Sequence, residues 1–179
     1  YISVTGVQTC ALPICLGVSR QDREFLELAA LVHDVGELTM NREYIRSSRP
    51  LTTFERLDLE RHPVIGEQDC TRLNLPKGVQ LIVRWHHEWW NGSGYPDRLR
   101  GEQIPLSARI LRVADSYCSL TGSRPWRDSV TDQAARDHLR EWSAIEFDPH
   151  VVIAFRDVEI PSETDPESVT EMSLFSTYR

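Results

Sequence analysis

The chain has 179 residues, 40% of them hydrophobic and 26% charged, a balance suited to one globular domain with a core of its own. A net charge of −7 argues against a surface that grips long nucleic acid through its phosphates, while a small anionic substrate neutralised locally stays possible. No apolar run is long enough to span a bilayer, and four cysteines without a CxxC pair fit a reduced, cytoplasmic setting better than a disulfide framework.

Taken in chain order, the stretch from Val4 to Ile14 resembles the translation of a common sequencing-library adapter, so residues 1–15 are expected to be a non-native leader outside the fold. Ser19 then caps a helix on which Phe25, Leu28, Ala29, Leu31 and Val32 recur at helical spacing. This helix is expected to carry His33 and Asp34 and to stop near Gly36. Met40 to Leu51 reads as a connector. Thr52 or Thr53 caps the next helix, which runs towards Cys70 with a break at His62, because Pro63 lies inside it. A further helix starts at Leu75-Pro76-Lys77 and leads through Val79, Leu81, Ile82 and Trp85 to the pair His86-His87. Asn91 to Gln103 holds Gly92, Gly94, Pro96 and Gly101 and reads as a loop. Pro105 to Leu120 is helical, with Ile110, Val113 and Ala114 facing the core. Thr131 caps another helix through Leu139 and Trp142, and Asp148-Pro149 begins a short one with Val152, Ile153 and Phe155. From Ile160 onward Pro, Ser, Thr, Glu and Asp dominate, and residues 159–179 are expected to be a disordered tail.

Four of the six histidines fall into short clusters with acidic or histidine neighbours: His33-Asp34, His62-Pro63 and His86-His87-Glu88, followed by a lone Asp115. Imidazole nitrogens with carboxylate oxygens suit iron, manganese or zinc. Adjacent side chains on a helix point about 100° apart, so such a pair more readily serves two neighbouring ions than one. That is a layout used to hydrolyse phosphate esters. Each cluster alone also has a plainer reading. Asp115 could simply pair with Arg112, three residues before it on the same helix face. Glu88 could accept from a ligand histidine or be a surface charge. Trp89, Trp90 and Trp126 suit packing, and Cys118 suits a small buried apolar role.

Several segments together resemble the HD-GYP branch of the HD phosphohydrolases. They are "LVHDVGEL", "ERHPVIGEQ", "HHEWWNGSGYPDRLRGEQIPLSARILRVADSY", "LTGSRPWR" and "FDPHVVIAF", in that order from about Leu28 to Phe155. The resemblance implies an all-α, HD-type helical bundle over residues 16–158, with a metal site in the bundle core. It implies a metal-dependent phosphodiesterase that opens cyclic di-GMP to the linear dinucleotide or GMP, with two divalent metal ions, iron or manganese, as cofactors. Carried over residue by residue, Asp34 bridges the ions. His33 and Asp115 belong to one, and His62, His86 and His87 to the other. Asp34 and Glu88 are the catalytic candidates. Arg124 and Arg127 are expected to meet the phosphates, and Gly94, Tyr95 and Pro96 to shape the loop at the substrate.

The chain departs from the family pattern at four places. A metal ligand expected upstream of the HD pair is missing, Glu37 replaces a lysine, Asn91 an aspartate and Cys118 another aspartate. These departures keep two alternatives open: a degenerate module that binds nucleotide or a protein partner without turnover, and hydrolysis of another nucleotide. A sensory or receiver domain is expected upstream of the native start.

Overall fold

Among the described residues of a computed structural model, which are 12–47, 49–122, 128–156 and 158, every regular element is helical, and the only β-type pairing is one isolated bridge between Ser143 and Phe147. Arg20–Val32 (α1) opens behind Ser19, whose hydroxyl accepts the Asp22 N–H. Val35–Met40 (α2) follows after only two residues. Thr53–Leu59 (α3) starts on a capping box between Thr52 and Glu55. His62–Arg72 (α4) then begins with Pro63 in its first turn, where a missing N–H costs nothing. The break expected at His62 is therefore a clean joint between two helices. Lys77–Trp85 (α5), Leu106–Thr121 (α6), Asp132–Glu141 (α7) and Pro149–Arg156 (α8) complete the set.

Two expectations need correcting. His33 and Asp34 do not lie on one continuous helix that ends at Gly36. His33 closes α1, Asp34 caps α2, and Gly36 is buried inside α2. The reason is packing. A Cβ at Gly36 would sit 2.1 Å from the His62 carbonyl oxygen, so glycine is what lets α2 lie directly on the start of α4. Likewise His86 and His87 stand just past α5, with His86 as its C-cap. The connector from Met40 contains one 3-10 turn, Glu43–Arg46.

The core is built from α1 (Leu26, Ala29), α5 (Val79, Val83), α6 (Ile110, Leu111, Val113, Ala114) and α8 (Val151, Phe155), all buried. Cys118 is buried with them, as its apolar reading expects. Leu12, within the expected leader, forms a helical turn over residues 12–15 and is fully buried in this core. An apolar side chain beside an apolar groove leaves water whatever its origin. The rest of that leader, residues 1–11, lies outside the described residues, as do Arg124, Trp126, Arg127 and the tail 159–179.

Candidate metal centre

Each histidine of the cluster sits at a helix boundary, where backbone carbonyls are free of partners. His33 ends α1, His62 opens α4, and His86 ends α5. In all three the Nδ1 lies on the carbonyl three residues earlier: Ala30 at 2.9 Å, Leu59 at 2.9 Å and Val83 at 2.7 Å. A carbonyl can only accept, so each Nδ1 carries the hydrogen and each Nε2 keeps a lone pair when the ring is neutral.

Those three Nε2 atoms converge on Asp34. They lie 3.1 Å (His33), 3.5 Å (His62) and 3.7 Å (His86) from its carboxylate oxygens. The His62 and His86 Nε2 atoms also face each other at 3.3 Å. When both rings are neutral and carry their hydrogen on Nδ1, two lone pairs face each other there, a contact that a shared proton or a metal cation relieves. This donor set fits a divalent metal. Ligand atoms of Asp34, His62, His86 and His87 all lie within 4.8 Å of one another. Asp115, from α6, approaches His33 Nε2 at 3.8 Å on the other side. All six residues singled out as metal ligands thus meet in one place, from four segments of chain.

The charges follow the same plan. Burial alone would lower the His33 pKa, but the hydrogen bond and charge of Asp34, with Asp115, outweigh it and hold it up at about 9. Burial alone would raise the Asp34 carboxyl, but its His33 and His86 partners keep it well below the usual carboxylate range. Burial, and then the His86 charge, push His62 down to about 4. His87 is also held well below its ordinary value, by burial, His86 and Arg112. His33 therefore carries a proton at neutral pH where a metal would bring its own charge, and His62 and His87 stay neutral. Asp34 is 40% exposed against 2% for His62 and none for His86, so the centre opens to solvent on the carboxylate side.

The glycine loop closes one wall. Tyr95 stacks on His87 with ring centres 4.8 Å apart. A Cβ at Gly94 would come within 2.3 Å of the Trp89 nitrogen and 2.5 Å of the His87 carbonyl oxygen, so glycine lets the loop lie flat on the histidine segment. Glu88 meets neither of its expected descriptions. It is 2% exposed, and its two oxygens accept the Asp97 and Leu99 backbone N–H groups at 2.6 and 3.0 Å. Its side chain holds the loop that carries Tyr95. Asn91 accepts from the Ser93 N–H and forms the turn at the loop's start.

A cavity of about 780 Å³ opens beside this loop, between Leu57, Arg61 and Ile65 on one side and Gly94, Tyr95 and Arg98 on the other. Sequence reasoning missed two groups. Arg61 and Arg98 gave no signal apart from their charge. Arg112 was seen as a partner for Asp115, which it reaches at 3.5 Å, but it also lies 3.2 Å from His87 Nδ1 and pairs with Glu146.

The sequence profile described as "HD domain" matches residues 7–151. Among curated relatives, the chain is 37% identical over 141 residues to the cyclic di-GMP phosphodiesterase response regulator RpfG of Xanthomonas campestris pv. campestris (strain 8004), covering 78% of this chain and 37% of that protein. It is 30% identical over 138 residues to the 3'3'-cGAMP-specific phosphodiesterase 2 of Vibrio cholerae, covering 76% of this chain and 26% of that protein. The chain therefore spans only about a third of the length of these relatives. Among solved structures, an HDG"Y"P protein from Bdellovibrio bacteriovorus superposes with a TM-score of 0.70 at 21% identity, covering 88% of this chain and 50% of that one. That likeness concerns the fold.

Proposed function

Because the chain belongs to the HD domain family and carries the HD-GYP order of motifs, we propose that it hydrolyses a phosphodiester bond of a cyclic dinucleotide, cyclic di-GMP or 3'3'-cGAMP, as part of a bacterial cytoplasmic signalling protein. The observation that carries this reading is the convergence of three carbonyl-anchored Nε2 atoms on Asp34, with His62 facing His86 at 3.3 Å. Two divalent ions, iron or manganese, fit the set, with Asp34 shared, His33 and Asp115 on one side and His62, His86 and His87 on the other. Bound there, the ions would acidify a water and neutralise phosphate charge.

The chain's own groups do the rest. The backbone carbonyls behind His33, His62 and His86 hold the hydrogen on Nδ1, so each ring when neutral presents its Nε2 lone pair to the centre. Tyr95, held by the Glu88-braced loop, covers His87 and limits access of bulk water. Arg61 and Arg98 place positive charge in the adjoining cavity, and Arg124 and Arg127 follow the Asp115 helix in sequence. All four suit phosphate contacts. The length beyond this match in RpfG, named as a response regulator, supports a receiver or sensory domain acting on this one.

The test is direct. Protein reconstituted anaerobically with Mn2+ or Fe2+ is incubated with each cyclic dinucleotide, and products are separated by chromatography. Linear dinucleotide or mononucleotide should form, and Asp34→Ala should abolish it. Binding without any cleavage by the loaded wild type would replace this reading with that of a degenerate nucleotide-binding module.

A further inference from the structure

Arg112 rises from α6 into the centre. Its Nη1 lies 3.2 Å from His87 Nδ1 and 3.5 Å from an Asp115 oxygen, and its Nη2 forms an ion pair with Glu146. Its side chain is only 16% exposed, and Nε is buried without a partner. A guanidinium has five N–H donors and no acceptor. Toward Arg112, His87 Nδ1 is therefore the acceptor, and the neutral ring carries its hydrogen on Nε2. This is the reverse of His33, His62 and His86, whose Nδ1 atoms donate to carbonyls.

This arrangement conflicts with a metal on His87 through either nitrogen. An ion on Nδ1 would need the lone pair that Arg112 already engages. An ion on Nε2 would move the hydrogen to Nδ1, where it would face the guanidinium N–H, donor against donor. Arg112 also brings a positive charge against Asp115, the carboxylate of the other ligand group. Resting on the metal-centre reading above, we propose that Arg112 is a built-in competitor for the metal. It sits between His87 and Asp115, one residue from each ligand group, as a resident cation, and divalent metal reaches those two residues only by displacing it. Asp34, His62 and His86 lie clear of the Arg112 contacts and take up the first ion. The unpartnered Nε and the long 3.5 Å approach to Asp115, with Glu146 as the close carboxylate partner, suit a side chain that can leave.

Arg112→Gln tests this, because an amide carbonyl can accept from Nδ1–H and so supports a metal on His87 Nε2. Metal-free full-length chain is titrated with Mn2+ by calorimetry, with folding checked by circular dichroism. The wild type is expected to show a tight binding event and a weaker or undetected second one. Partners one bond beyond the ligands change metal affinity about 10–100-fold, so Arg112→Gln should tighten the second event about tenfold or more, or bring it into view. Arg112→Lys keeps the charge and the lack of an acceptor and should behave as wild type. If Arg112→Gln leaves Glu146 buried alone and fails to fold, the double variant Arg112→Gln/Glu146→Gln removes the charge pair together and carries the same expectation. A second event within roughly twofold of wild type in the folded Gln variant, with Mn2+ binding lost in Asp34→Ala, overturns the competitor and leaves the metal centre standing. Unchanged Mn2+ binding in Asp34→Ala overturns both.

Discussion

Gly36→Ala should damage the centre without touching a ligand. The new Cβ would sit 2.1 Å from the His62 carbonyl oxygen and 2.8 Å from the Gly66 nitrogen. Both are backbone atoms, so no side chain can swing aside. Reaching an ordinary contact of 3.4 Å from 2.1 Å requires α2 and α4 to part by about 1.3 Å at that point. Overpacking of this kind costs about 1–3 kcal/mol, and each kcal/mol moves Tm by about 2–4 °C at this size. A drop in Tm of about 2–12 °C is expected by calorimetric melting. The same separation acts on the site, since Asp34 lies two residues before Gly36 and reaches His62 Nε2 at 3.5 Å. A misplacement near 1 Å can cost about 100-fold in rate, so hydrolysis and Mn2+ affinity should fall together. Gly66→Ala is the control. Its Cβ would meet the Val83 Cγ1 at 3.0 Å, a side-chain atom able to give, so its Tm loss should be the smaller. A Gly36→Ala protein with wild-type Tm and wild-type Mn2+ affinity would refute the close-packing argument.

Further outcomes follow from the same structure. Glu88→Ala leaves two part-buried backbone N–H groups, Asp97 and Leu99, without their acceptor, at up to about 1–3 kcal/mol each. Melting should show a large Tm loss, and a change below about 1 kcal/mol would remove Glu88 from the role of loop brace. In metal-free protein, His33 has a folded pKa of about 9 against 6.5 unfolded. Its stabilising contribution is therefore complete below pH 6.5 and is lost as pH rises through 9. Urea midpoints measured from pH 6 to about 10 should fall in wild type and flatten in His33→Gln. Mn2+ at 100 times its dissociation constant should stabilise by about 2.7 kcal/mol and raise Tm by about 5–11 °C. A chelator should reverse that rise, and an Asp34→Ala protein that still shows it would argue against the ligand set.

Much of this was legible along the chain. Ser19, Thr52 and Thr131 mark helix starts because a side-chain oxygen three residues before a free N–H is a local device, readable without the fold. The all-α class, the joint at Pro63, and the identity of the ligand-type residues were legible for the same reason. Chemistry that depends on residue type and short spacing is carried by the sequence alone. What tertiary structure decided is distance. Gly36 reads locally as a helix end, yet it lies buried in the first turn of α2 with α4 against it. Glu88 neighbours two histidines in sequence, yet its oxygens turn to a loop nine and eleven residues away. The tautomers of His33, His62 and His86 depend on helix-end carbonyls being free, and their meeting at Asp34 depends on how separate helices cross. Arg112 shows the limit most clearly. Its place three residues before Asp115 was visible in the sequence, but its contact with His87, 25 residues away, arises only where α6 packs against the end of α5. Hydrogen bonds and Coulomb forces act over a few ångströms in space, so a one-dimensional spacing can name the partners on one helix face but not those on the helix packed against it.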